Sequence, residues 1–188
     1  MAVEPPTPIH RFSLEEYHRL IDAGGFDEDA RIELIDGLLV DMSPKSPAHE
    51  NAIAWLNKLL VRSLDPDRFE VRVSAAMTTG TSEPEPDIMV IELDAPRPYH
   101  PGAAVLVIEV AVSSQRRDLR HKPPVYAGAG VPDYWVIDLD GGRAVVHGSP
   151  RDGAYDRIEV VGTGGELRAS RLGLPEISVA ELLAAAGG

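Results

Sequence analysis

Ala103-Ala104-Val105-Leu106-Val107-Ile108-Glu109-Val110-Ala111-Val112 is the stretch on which the fold turns. It is a nearly continuous apolar run rich in β-branched residues, the pattern of a central strand buried on both faces. Glu109 stands in its middle. A carboxylate removed from water there costs several kcal/mol unless it is neutralised, hydrogen-bonded or bound to a cation. A second acid, Asp87, opens the preceding apolar run Ile88-Met89-Val90-Ile91. Beyond the Glu109 strand lies the one dense basic segment, Arg116-Arg117-Asp118-Leu119-Arg120-His121-Lys122. Two acids on adjacent strands beside such a segment read as a metal site with a phosphate-binding flank.

Composition narrows the rest. The 188 residues suit one domain, and 44% hydrophobic with 26% charged residues is ordinary for a soluble globular protein. No apolar run approaches the ~20 residues that span a bilayer, and residues 1–10 carry no secretory pattern, so a cytoplasmic protein is expected. The absence of cysteine excludes disulfides, thiolate zinc sites and cysteine nucleophiles. No Gly-x-Ser-x-Gly elbow is present to support a serine hydrolase. The net charge of −12 disfavours tight, sequence-independent binding to a polyphosphate. A local basic patch or a bound divalent cation reverses that field where it matters.

Outward from the central stretch the chain alternates helices and strands. Ser13-Leu14-Glu15-Glu16 is a capping box and predicts a helix to about residue 23. Asp36-Gly37, between the apolar runs 31–35 and 38–42, predicts a type I′ hairpin. Ser46-Pro47 starts a helix to about residue 64 with Ile53, Leu56, Leu60 and Leu64 on its core face. Strands are predicted over 69–79, 88–93, 132–139, 143–147, 155–161 and 166–169. A short helix begins at Pro123-Pro124 and a last one follows Ser178. The order predicts an α/β or α+β fold, a central mixed sheet flanked by helices, with residues 1–188 as a single domain.

Several stretches together resemble the Uma-two (Uma2) family of putative restriction endonucleases, a branch of the PD-(D/E)XK nuclease superfamily. They are Glu33-Leu34-Ile35-Asp36-Gly37, Met42-Ser43-Pro44 with His49 following, Pro86-Asp87, and Ile108-Glu109-Val110 with Ser113-Ser114. Arg117-Asp118, Lys122, Tyr126 and Ala129-Gly130-Val131-Pro132-Asp133-Tyr134-Trp135 continue the set, which covers about residues 12–140. The resemblance implies a restriction-endonuclease-like fold and Mg²⁺- or Mn²⁺-dependent cleavage of DNA phosphodiesters. It places Asp87 on the metal-binding aspartate and Glu109 on the acid of the second motif. The lysine usual two residues later is absent, since Ala111 stands there; Lys122 matches the migrated lysine of this family. Glu33 matches a glutamate contributed from an earlier element. Pro123-Pro124, directly after Lys122, departs from the pattern and bears on how that lysine is presented.

The chemistry of these residue types agrees. Hard divalent cations take oxygen ligands and retain waters, a shell that Asp87, Glu109 and the backbone carbonyl of Val110 suit. Lys122 supplies a point charge for the nucleophile or phosphate, and Arg116, Arg117 and Arg120 suit flanking phosphates. Double-strand cleavage often uses two copies, so the resemblance admits a homodimer. Plainer readings compete. By residue type Glu33 is a solvent-facing strand residue, His49 a capping or surface group, and Asp138 and Asp140 turn residues. Asp118 and Lys122 read as a surface ion pair worth under ~1 kcal/mol, and Glu109 as the partner of an arginine inside the sheet. At the level of function, a noncatalytic binding module on the nuclease fold competes with the enzyme. Net charge favours the module; Asp87, Glu109 and Lys122 together favour the enzyme.

Overall fold

The computed structural model describes residues 9–27, 29–95, 97, 99–112 and 115–187, with backbone alone at 115–117. Helix α1 (Leu14–Asp22) starts from the capping box: Ser13 Oγ accepts from the Glu16 N–H, and the Glu16 carboxylate accepts from the Ser13 N–H. The hairpin of β1 (Ile32–Ile35) and β2 (Leu38–Asp41) turns on Asp36 and Gly37, both with positive φ, as the type I′ turn requires. Helix α2 (Pro47–Ser63) is capped by Ser46 and lays Ile53, Leu56 and Leu60 into the core.

Six strands make the main sheet, in the order β3 (Phe69–Val73), β4 (Ile88–Glu92), β5 (Leu106–Ala111), β6 (Asp133–Asp138), β7 (Arg143–Arg151) and β8 (Ala154–Gly162). Every neighbouring pair is antiparallel except β5–β6, which is parallel. Parallel neighbours need a crossover, here supplied by α3 (Gln115–Arg120) and α4 (Lys122–Gly128). A two-stranded pair, β9 (Glu166–Leu167) and β10 (Ile177–Ser178), precedes α5 (Val179–Gly187). The expected mixed sheet flanked by helices is the fold observed.

All six residues of β5 are buried, which accounts for the near-continuous apolar stretch. Leu106, Ile108 and Val110 pack in one core with residues of α2 and α5; Val107 and Ala111 pack in the second with Tyr126 and Ala127 of α4. Glu109 follows the parity of the second face, which aims it under α4.

Three expectations are corrected. The strand predicted over 69–79 stops at Val73, where Ser74 takes φ 46° and donates its N–H to the Asp87 carbonyl at 3.0 Å. The excursion that follows runs back along the hairpin, with Glu83 bridging Leu34 through both backbone hydrogen bonds. A helix, α3, forms before the diproline, where only polar sequence was read. Glu33 does not face solvent, being 1% exposed, because that excursion covers the outer face of the hairpin. Among the described residues no helix is long and apolar enough to cross a membrane.

Candidate active site

The β4–β5 register opposes Ile88 to Ile108, so Asp87 and Glu109 stand side by side at one end of the ladder. Asp87 Oδ2 accepts the Val110 N–H at 2.8 Å and lies 3.0 Å from His49 Nε2, in the first turn of α2. Glu109 Oε1 accepts from Lys122 Nζ at 2.8 Å and from the Tyr126 hydroxyl at 3.0 Å. Lys122 Nζ also lies 3.1 Å from Glu33 Oε2 and 3.9 Å from Asp118 Oδ1. Glu33 Oε2 in turn accepts the Glu85 N–H at 3.3 Å. Five segments of sequence thus meet at one lysine and two acids at the end of the β4–β5 ladder.

Lys122 is the first residue of α4, and the two prolines follow it in the first turn, where an N–H has no helical partner to lose. The diproline therefore starts the helix and points Lys122 inward, to 3% exposure. The Asp118–Lys122 pair is real but buried, not a surface contact. Among the described residues no arginine pairs with Glu109; its cation is Lys122.

Electrostatics follows from the count of charges. The residues lining the cleft include five acids, Glu33, Glu85, Asp87, Glu109 and Asp118, against three bases, Arg31, Lys45 and Lys122. Burial pushes Glu109 well above the ordinary carboxylate range; Lys122 opposes this, and Asp118, Asp87 and Glu33 add to it. Burial likewise raises Glu85, with Glu33 and Asp87 contributing. Desolvation pulls Lys122 down, yet Glu109, Glu33 and Asp118 outweigh it, so the ammonium is held above its usual range. The lysine is charged, and burial with the surplus of neighbouring acids disfavours the ionised form of Glu109. Burial also raises the Tyr126 hydroxyl well above its usual value, so it remains a donor to Glu109.

The profile of the Uma2 family, described as "Putative restriction endonuclease", matches residues 14–185. The chain belongs to the Uma2 family. Among solved structures, a putative nuclease belonging to DUF820 from Anabaena variabilis ATCC 29413 superposes with a TM-score of 0.74 at 17% identity. The match covers 93% of this chain and 99% of that one, and at such identity it speaks for the fold alone. No curated protein sequence matches.

On this Uma2 fold Asp87, Glu109, Lys122 and Glu33 come together, and Val110, expected to contribute its carbonyl, joins them through its N–H. Arg120 is exposed at the end of α3 and does not line the cleft, and the side chains of Arg116 and Arg117 lie outside the described residues. Sequence reasoning passed over His49, read as a cap, although it is buried against Asp87. It also passed over Arg31 and Lys45, which bring positive charge to the cleft from the hairpin region. Only the fold connects those positions to Asp87, so no local pattern marks them.

The donor set suits a hard cation. Asp87 Oδ1 and Glu109 Oε2 accept no hydrogen bond from the described residues, while their sister oxygens are fixed. Among the described residues no three His, Cys, Asp or Glu side chains form a ready-made ligand cluster. Mg²⁺ and Mn²⁺ take one or two carboxylates and otherwise waters, which these two oxygens satisfy.

Proposed function

We propose that this Uma2 protein is a divalent-cation-dependent endodeoxyribonuclease of the cytoplasm, hydrolysing phosphodiester bonds in DNA. The observation that carries the reading is the pair of facing carboxylates at the end of the β4–β5 ladder, each with one oxygen committed and one that accepts nothing from the described residues, beside a charged, buried lysine. Asp87 and Glu109, with the carbonyl of Val110, would hold Mg²⁺ or Mn²⁺. A cation there acidifies a bound water and offsets charge on the reacting phosphate.

The protein's own groups do the positioning. The Val110 N–H and His49 fix Asp87; Tyr126 and Lys122 fix Glu109. Glu33 and Asp118 hold the Lys122 ammonium at the cleft wall, where it orients the nucleophile or stabilises the anionic transition state. Arg31 and Lys45 meet the phosphates on either side of the scissile one, a task for which the charge of Arg116, Arg117 and Arg120 also suits them.

Cleavage of supercoiled plasmid and short duplexes at low salt, with and without Mg²⁺ or Mn²⁺, tests this. Asp87→Asn keeps an acceptor for the Val110 N–H, so it should fold and yet lose cleavage. Lys122→Ala, with its folding checked by circular dichroism, should cut at least about 10²-fold more slowly, with DNA affinity little changed. If wild type cuts no nucleic acid with either metal but binds a partner, the noncatalytic reading replaces this one.

A further inference from the structure

Strand β8 ends the sheet, and among the described residues no strand pairs with its outer edge. It is nine residues long and contains neither proline nor lysine, two of the devices that keep an open edge from pairing, and its charges, Asp156, Arg157 and Glu159, are of both signs. Two apolar side chains on it stand in solvent, Ile158 at 63% and Val160 at 59% exposure. Their cross-strand partners His147 and Val145 are buried, so Ile158 and Val160 extend an apolar face past the limit of its cover.

We propose that β8 is a homodimer interface, pairing antiparallel with β8 of a second copy about a two-fold axis through Ile158. The charge pattern selects this register. An axis through Ile158 sets it against its own copy with Asp156 opposite Val160 on the same face, and sets Arg157 opposite Glu159 twice over on the other face. An axis through Arg157 opposes two arginines, and one through Glu159 opposes two glutamates. An axis between Arg157 and Ile158 sets Asp156 against Glu159. Like charges directly opposed destabilise a strand pair while unlike charges support it, so the Ile158 register is the favoured one. In the monomer Arg157 is only loosely engaged, 3.4 Å from both Asp133 and Glu159, and about half exposed. In the Ile158 register the β8 edge thus sets opposite charges against each other on one face and the exposed Ile158 against its own copy on the other.

The two-fold axis runs perpendicular to the sheet and leaves both clefts on the same face of a continuous twelve-stranded sheet, twice the six strands of one copy. This proposal stands apart from the catalytic one and survives or fails without it.

Sedimentation velocity at micromolar concentrations tests it. Wild type should sediment as a dimer, and Ile158→Asp, at an exposed position that leaves the fold alone, as a monomer. Arg157→Glu and Glu159→Arg should each be monomeric, yet an equimolar mixture of the two should recover a dimer, because every charge then faces its opposite. Circular dichroism confirms that each variant is folded. Should Arg157→Glu unfold, since Asp133 loses its cation, Ile158→Asp and Glu159→Arg alone still decide. A monomeric wild type overturns the proposal, as does a dimer that persists in Ile158→Asp. Failure of two folded single variants to associate on mixing also overturns it.

Discussion

Removing the ammonium of Lys122 leaves Glu33, Glu109 and Asp118 buried without the cation they share. Breaking a buried ion pair from one side costs about 3–5 kcal/mol. Urea melts at neutral pH should show Lys122→Ala destabilised by that order, with Glu109→Gln in the same chain returning part of the loss. No recovery in the double variant would refute charge crowding as the cause. Glu109 itself has its folded pKa raised well above the unfolded value, chiefly by burial. The native state therefore holds a proton that the unfolded chain has already released. Stability from this group is full below the unfolded pKa of about 4.3 and is lost as pH climbs through the folded value. In cation-free buffer, Glu109→Gln should gain on wild type in Tm as pH rises above that range. A pH-independent difference would count against the crowded site.

At the scale of elements, the hairpin that delivers Glu33 depends on Gly37. Its φ is +75°, and a Cβ there would sit 2.7 Å from Arg11 Cβ and 2.9 Å from the Phe12 carbonyl. Gly37→Ala should cost roughly 1–3 kcal/mol by strain at a left-handed position, read as a lowered Tm. Because β1 carries Glu33, the variant should also weaken whatever Lys122 does in the cleft. This hairpin shows what was legible in advance: Asp36-Gly37 names its turn by local chemistry alone. The capping box of α1 and the apolar stretch of β5 were legible for the same reason, each being a pattern within one element. Glu33 was misread from residue type because its cover arrives from residues 74–87, an excursion that no local periodicity announces. His49 escaped because its partner Asp87 is remote in sequence and meets it only when α2 packs on the sheet. Lys122 came only through family resemblance, since a lysine beside prolines carries no signal of burial on its own.

For the molecule as a whole, on the function proposed above, a net charge of −12 and five acids around one cleft would make a divalent cation a stabilising ligand as well as a reagent. Binding to the native state alone adds about 2.7 kcal/mol at a hundredfold excess over Kd. Mg²⁺ or Mn²⁺ should raise the Tm of wild type, and Asp87→Asn should lose that response. Without cation, Asp87→Asn should be as stable as wild type or more so, because one of several crowded acids has been neutralised. A metal-independent wild-type melt would argue that the acids serve the fold alone.

The parallel seam between β5 and β6 gives this protein a timetable. During synthesis the strand bearing Glu109 is made well before β6, its neighbour on that side. Until residues 133–138 leave the ribosome that flank has no partner, and Lys122, on the crossover joining the two strands, has no closed wall to lean on. Non-local pairings of this kind form late. A half-made chain thus carries the acids without the arrangement that the proposed chemistry needs, and the completed sheet is what would switch that chemistry on.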